Sequence, residues 1–114
     1  MMKEPTMLEA KKFLSPVFPE WKAFWFNKGP VVKSLKEMVA VLPTVPAAMF
    51  AIHVNSSKND VANWAKDVIG DLDLSNELKK AMTPKAAADI FAKRLKQLDS
   101  CLVVIPAAPA KKKK

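Results

Sequence analysis

The strongest structural signal in the chain is the run of residues 59–71, Asn59-Asp60-Val61-Ala62-Asn63-Trp64-Ala65-Lys66-Asp67-Val68-Ile69-Gly70-Asp71. Its apolar residues recur every three or four positions, which is the spacing of one face of an α-helix. Asn59 or Asp60 suits the N-cap, since a short polar side chain accepts a hydrogen bond from the first turn. Gly70 marks the end of this helix, because glycine tolerates the left-handed conformation that closes many helices. Asp71 or Asp73 then suits the N-cap of the next helix.

Helical patterns flank this run on both sides. Thr6 and Ser34 each precede a glutamate by three residues, which is the capping-box pattern at the start of a helix. Thr83-Pro84 combines an N-cap residue with a proline that fits the first helical position. The predicted helices cover residues 6–14, 34–42, 47–53, 59–70, 71–82 and 84–100.

Aromatic and β-branched residues surround an Asn27-Lys28-Gly29-Pro30 turn between the first two helices. This composition predicts a short strand or hairpin. Its aromatic residues are suited to stacking on bases in single-stranded nucleic acid. An aromatic cluster of this kind is more often core, and we expect it to be core here. The residues concerned are Trp21, Phe24, Trp25 and Phe26.

Together these patterns predict one mainly α domain over residues 1–105, with four to five helices and the aromatic hairpin packed against them. The apolar run Cys101–Ile105 has three possible courses: continuation of the last helix, a strand against the hairpin, or a cover over the core. Residues 106–114 form a Pro/Ala spacer with a lysine tail, which we expect to be disordered.

Composition excludes several classes of protein. The chain has 114 residues and a net charge of +8, which suits a single domain. One cysteine cannot form an internal disulfide, so a disulfide-stapled secreted fold is excluded. The apolar runs are far shorter than the roughly 20 residues of a membrane span. The first residues lack the pattern of a signal peptide, and we expect a cytoplasmic protein without membrane association.

The residues available for chemistry are few. His53 is the only histidine, and Asp60 lies close enough in sequence to bind it and lock the loop between them. One histidine and one distant cysteine do not form a zinc ligand set, and the aspartates around Gly70 are better explained as caps. Two glycines cannot form a phosphate-binding loop. We therefore expect no enzymatic activity, no metal, no cofactor and no small-molecule substrate.

The only arginine, Arg94, falls near the middle of the apolar face of the last helix. A buried guanidinium needs a carboxylate partner, because an unpaired buried charge is costly. We predict that it pairs with Asp60, Asp67 or Asp71. The residues expected to have structural roles are His53, Asn59, Asp60, Trp64, Asp67, Gly70, Asp71 and Arg94.

Four segments carry a resemblance to a known family: Ser34-Leu35-Lys36-Glu37, Phe50-Ala51-Ile52-His53-Val54, Asn59-Asp60-Val61-Ala62-Asn63-Trp64 and Asp67-Val68-Ile69-Gly70-Asp71. Together with the leucine-rich helix that follows, they resemble a small uncharacterised helical domain found mainly in archaea. Val61 stands where that family has phenylalanine. The resemblance spans a little over half the chain, and it implies a helical fold but no particular activity.

The distribution of charge suggests a function. Residues 1–37 carry seven lysines and four glutamates, residues 60–99 are neutral, and Lys111, Lys112, Lys113 and Lys114 hold half of the net charge. A flexible cationic end binds polyanions, because each neutralised phosphate releases counterions. We expect an accessory protein that binds nucleic acid through phosphate contacts without sequence preference. The alternative is a protein-interaction module that uses its near-neutral helical face, with the lysine tail only aiding solubility.

Overall fold

The computed structural model describes residues 2–103, which form six α-helices and one hairpin. The hairpin pairs two short antiparallel strands, with Phe24 opposite Val32 and Trp25 opposite Val31. The predicted mainly α fold with an aromatic hairpin near its N-terminus is therefore confirmed, with six helices over residues 2–103 where four to five were expected. The elements are α1 (Met7–Leu14), β1 (Phe24–Trp25), β2 (Val31–Val32), α2 (Leu35–Val41), α3 (Ala47–His53), α4 (Asp60–Trp64), α5 (Leu72–Leu78) and α6 (Pro84–Val103).

Side-chain caps begin five of the six helices, as the sequence predicts. In each case a side-chain oxygen accepts a hydrogen bond from the amide three residues later, which satisfies one of the free donors of the first turn. The choice between Asn59 and Asp60 is resolved in favour of Asn59, and that between Asp71 and Asp73 in favour of Asp71. The capping pairs are Thr6 with Glu9, Ser34 with Glu37, Asn59 with Ala62, Asp71 with Leu74, and Thr83 with Ala86.

The end of the central helix also follows the sequence. Helix α4 widens into a π-helical turn over Ala65–Ile69 and stops at Gly70, whose φ is +90°. The amides of Gly70 and Asp71 both donate to the carbonyl of Ala65, each at 2.9 Å. A side chain other than hydrogen is strained at this φ, so glycine is what allows the chain to turn directly into α5.

One predicted helix is too long. The pattern over residues 71–82 predicts a helix through Met82, but α5 ends at Leu78. The side-chain amide of Asn59 donates to the Leu78 carbonyl at 3.0 Å, and the next residues form a tight turn. This turn places Ala81 in the core and leaves Met82 exposed.

The C-terminal apolar run continues the last helix as far as Val103. Cys101 is half-buried, and its Sγ donates to the carbonyl of Pro5 at 3.1 Å. Residues 104–114, which include the predicted spacer and the lysine tail, lie outside the described residues. Within residues 2–103, no helix has both the length and the apolar character that crossing a membrane requires.

Helix α6 packs against α1, α2 and α5 and supplies the centre of the core. Its residues Phe91 and Leu98 are fully buried, and Arg94 between them is only 2% exposed. The guanidinium donates from Nε and Nη2 to the carboxylate of Asp71, at 2.7 and 2.9 Å. Its Nη1 donates to the carbonyl of Lys3 and to Gln97 Oε1. The predicted pairing of Arg94 is confirmed, with Asp71 as its partner.

This buried pair gives the first testable prediction. Arg94→Met should lower the free energy of unfolding by about 3–5 kcal/mol, because it leaves the Asp71 carboxylate buried without its counter-charge. Urea unfolding monitored by circular dichroism measures the change. Asp67→Ala is the matched control, since Asp67 is an exposed carboxylate near the same helix junction, and it should shift stability by less than about 0.5 kcal/mol. A loss below about 1 kcal/mol for Arg94→Met would contradict the prediction that the buried ion pair is essential for stability.

Candidate functional site

The hairpin region divides its aromatic residues between the core and the surface. Phe24 and Phe26 are buried, with ring centroids 4.7 Å apart. Trp25, between them, is 54% exposed, as the alternation of side chains along a strand requires. Trp21, in the turn before the strand, is 73% exposed. The expectation that these aromatic residues pack in the core is correct for Phe24 and Phe26 and wrong for Trp21 and Trp25.

Phe18 adds a third exposed ring to this region, with 77% of its surface accessible. We call Phe18, Trp21 and Trp25 the aromatic patch. Isolated exposed apolar residues are common on protein surfaces, whereas three large aromatic rings exposed within residues 18–25 are unusual and favour a binding role. The sequence does contain a signal for this exposure, because the order Phe24, Trp25, Phe26 in a strand puts the middle ring on the opposite face from its neighbours.

Two indole N–H groups anchor the turn that carries Trp21. Trp64, buried in α4, donates from Nε1 to the carbonyl of Lys22 at 2.9 Å. Trp25 donates from Nε1 to the carbonyl of Glu20 at 3.3 Å. Both acceptors lie in the same 3-10 turn, Glu20–Lys22, which also carries Trp21. The turn is thus held to the core on one side and to Trp25 on the other, so the backbone that carries Trp21 is anchored and the Trp25 ring is bonded to it.

A cleft of about 180 Å³ adjoins Phe18 and is flanked by two lysines, Lys12 and Lys22. Lys12 extends from α1 toward Gly70. Its Nζ lies 3.5 Å from the point where a Cβ on Gly70 would stand. The Nζ of Lys22 lies 5.4 Å from the centre of the Trp21 ring. Among residues 2–103, neither ammonium group has a carboxylate oxygen within 4.0 Å. We call this cleft, with Lys12 and Lys22 at its edges, the lysine cleft.

The one acidic residue in the turn, Glu20, is matched by a lysine. Its Oε2 lies 3.7 Å from Lys33 Nζ, and both side chains are substantially exposed. A surface pair of this kind contributes little to stability. Its consequence here is electrostatic: Lys33 offsets the negative charge of Glu20, the acidic residue of the turn that carries Trp21.

His53 has a structural environment. Its Nε2 accepts a hydrogen bond from the amide of Asn27 at 3.0 Å, so the ring proton is on Nδ1. Nδ1 lies 3.1 Å from Asp60 Oδ2, the contact that the sequence predicts. The ring also packs edge-on against Phe24 and Phe26. Both ring nitrogens are therefore engaged in contacts within the domain.

The remaining predicted residues have the following positions. Asp60 is shared by His53 and by Lys58, whose Nζ lies 3.1 Å away. Asp67 is exposed in the middle of the π-helical turn and is not the partner of Arg94. Among residues 2–103, no three histidine, cysteine or carboxylate side chains come together as a metal ligand set would. Lys111–Lys114 lie outside the described residues.

The structural role of His53 can be tested directly. His53→Ala should lower the free energy of unfolding by about 1–3 kcal/mol, because it removes a half-buried ring and both of its hydrogen bonds. Thermal and urea unfolding measure the loss, and the amide resonance of Asn27 should shift in an NMR spectrum. Ile52→Ala, at the exposed neighbouring position on α3, is the control and should have a much smaller effect. A fully stable His53→Ala variant would show that the ring has another role.

The chain matches no family model, no curated protein and no solved structure.

Proposed function

We propose that this protein is a non-enzymatic accessory protein that associates with nucleic acid through phosphate contacts and without sequence preference. The observation that carries the proposal is the asymmetric distribution of lysines and their partners. Residues 1–37 hold seven lysines and four glutamates, and the last four residues add four further lysines. By contrast, residues 60–99 carry equal numbers of basic and acidic groups.

The contacts within the fold increase this asymmetry. Glu9 accepts a hydrogen bond from the Thr6 amide, and Glu37 accepts one from the Lys33 amide. These carboxylates serve the starts of α1 and α2 and are not bound to lysine side chains. Of the seven lysines in this part of the described chain, only Lys33 lies within 4.0 Å of a carboxylate oxygen. The others keep their charge available for an external anion.

The absence of sequence preference follows from the chemistry of lysine. An ammonium group is a compact charge on a flexible stem, and it meets a phosphate as a point charge. Contacts to phosphates set affinity and position, whereas sequence is read at base edges. The lone thiol of Cys101 suits a reducing compartment, and we propose a cytoplasmic location.

The contribution of the tail can be measured from the salt dependence of binding. The full chain and a chain cut after Pro109 should be titrated with one DNA duplex over a series of salt concentrations. Each phosphate contact contributes about −0.9 to the slope of log affinity against log salt, so the truncated chain should show a slope shallower by up to ~3.6. Thermal unfolding of both chains checks that the fold is unchanged.

A variant with the same loss of charge separates position from net charge. Changing Lys66, Lys79, Lys93 and Lys96 to glutamine also removes four positive charges, but from the near-neutral part of the chain. This variant should retain most of the slope that the truncation removes. Equal slopes for the full and truncated chains would assign binding to another surface. Failure of both to bind at low salt would overturn the proposal.

One feature favours the alternative, a protein-interaction module. A groove of about 500 Å³, with walls that include Leu42, Pro43, Pro84 and Ala88, lies between the end of α2 and the start of α6. An apolar contact in such a groove would persist at high salt, whereas phosphate binding weakens steeply. Binding of a protein partner that survives in high salt, without any nucleic-acid binding, would favour this alternative.

A further inference from the structure

We propose that the aromatic patch and the lysine cleft together form a binding surface for single-stranded nucleic acid, in which Phe18, Trp21 and Trp25 stack on unpaired bases and Lys12 and Lys22 contact the phosphates. This inference rests on the proposed function and names its substrate class. It assigns binding to the folded domain as well as to the lysine tail.

The first argument is the combination of chemistries. Binding of single strands without sequence preference requires planar rings for the bases and cations that follow the backbone. The three exposed rings and the two unpaired ammonium groups all belong to residues 12–25. Phe18 lines the lysine cleft itself, and Lys22 lies directly beside Trp21 in the turn. Both kinds of contact are therefore offered by one short segment of the chain, residues 12–25.

The second argument is rigidity. A ring that is already fixed loses little conformational entropy when a base stacks on it. The hydrogen bonds from Trp64 to Lys22 and from Trp25 to Glu20 fix the turn before any ligand binds. The Trp25 indole uses its N–H within the protein, which leaves its ring face for contact with a ligand.

The third argument separates single strands from the other occupants of an aromatic and basic surface. A duplex buries the faces of its bases against each other, so the rings would gain nothing from it. An interfacial membrane anchor is typically a long amphipathic helix with a broad apolar face. Here the rings stand on a three-residue turn and a two-residue strand, which suits a narrow strand better than a lipid surface.

Fluorescence provides the most direct test. The chain has three tryptophans, and only Trp64 is buried. Titration with an oligothymidylate of roughly 16 nucleotides, at the upper end of common single-strand site sizes, should quench the emission of the full chain. The variant Trp21→Phe/Trp25→Phe keeps two aromatic rings, and it should bind within about threefold of the full chain with little quenching of Trp64.

Removal of the rings tests their contribution to affinity. Trp21→Leu and Trp25→Leu should each weaken oligothymidylate binding by roughly 5- to 150-fold, the range found for loss of one stacked base. Met82→Ala is the matched control, since Met82 is 54% exposed, as Trp25 is, and lies far along the chain. It should leave the affinity unchanged.

The variant Lys12→Gln/Lys22→Gln tests the phosphate contacts and should make the salt dependence of oligothymidylate binding shallower. None of the tryptophan variants should alter the affinity for duplex DNA by more than about twofold.

The same experiment distinguishes failure of this inference from failure of the proposed function. If the leucine variants bind oligothymidylate as tightly as the full chain does, and truncation after Pro109 abolishes binding, the tail alone binds and the patch does not. If neither oligothymidylate nor duplex binds at low salt, the proposed function itself is overturned. Binding to anionic phosphatidylserine vesicles that the leucine variants lose, without binding to oligothymidylate, would overturn the inference in favour of a membrane surface.

Discussion

The ion pair between Arg94 and Asp71 constrains the rest of the structure more than any other single contact. A guanidinium in the core needs a counter-charge and hydrogen-bond partners, because the cost of desolvation is otherwise not offset. Here each of its three nitrogens has a partner: Nε and Nη2 bind the Asp71 carboxylate, and Nη1 binds the Lys3 carbonyl and Gln97. These bonds fix the position of α6 against the start of α5, and they hold the N-terminal segment across both. The carboxylate also caps α5, so one side chain orients two helices.

A short chain of contacts connects this core to the aromatic patch. Gly70 ends the central helix immediately before Asp71, and its left-handed backbone is what brings the carboxylate to Arg94. Trp64 lies earlier on the same helix and binds the Lys22 carbonyl. The central helix therefore leads directly into the partner of the buried charge and carries, along its length, the anchor of the exposed turn.

Much of this arrangement could be predicted from the sequence, because it depends on local rules or on charge pairing. Thr6, Ser34, Asn59 and Asp71 begin helices through bonds that span only three residues, and Arg94 needed a carboxylate wherever it was buried. The error at Met82 has a different origin. Helical spacing alone would continue α5, but the distant Asn59 side chain binds the Leu78 carbonyl at the point where the helix ends. Such a contact, between residues 19 positions apart, leaves no trace in the local pattern.

The exposure of Trp21 and Trp25 was missed for a related reason. Aromatic residues are usually buried, and that general tendency opposes the alternation signal at Trp25. Trp21 lies in a 3-10 turn, where strand alternation does not apply. The outcome depends on which rings the core has space to accept, and Phe24, Phe26 and His53 fill that space next to Trp64. Folding accounts fully for these buried rings, yet it gains little from Trp21, most of whose surface stays in water. A large exposed ring on an anchored turn, beside lysines without a carboxylate partner, therefore calls for an explanation outside the fold, and a ligand that offers both flat faces and negative charge would provide one.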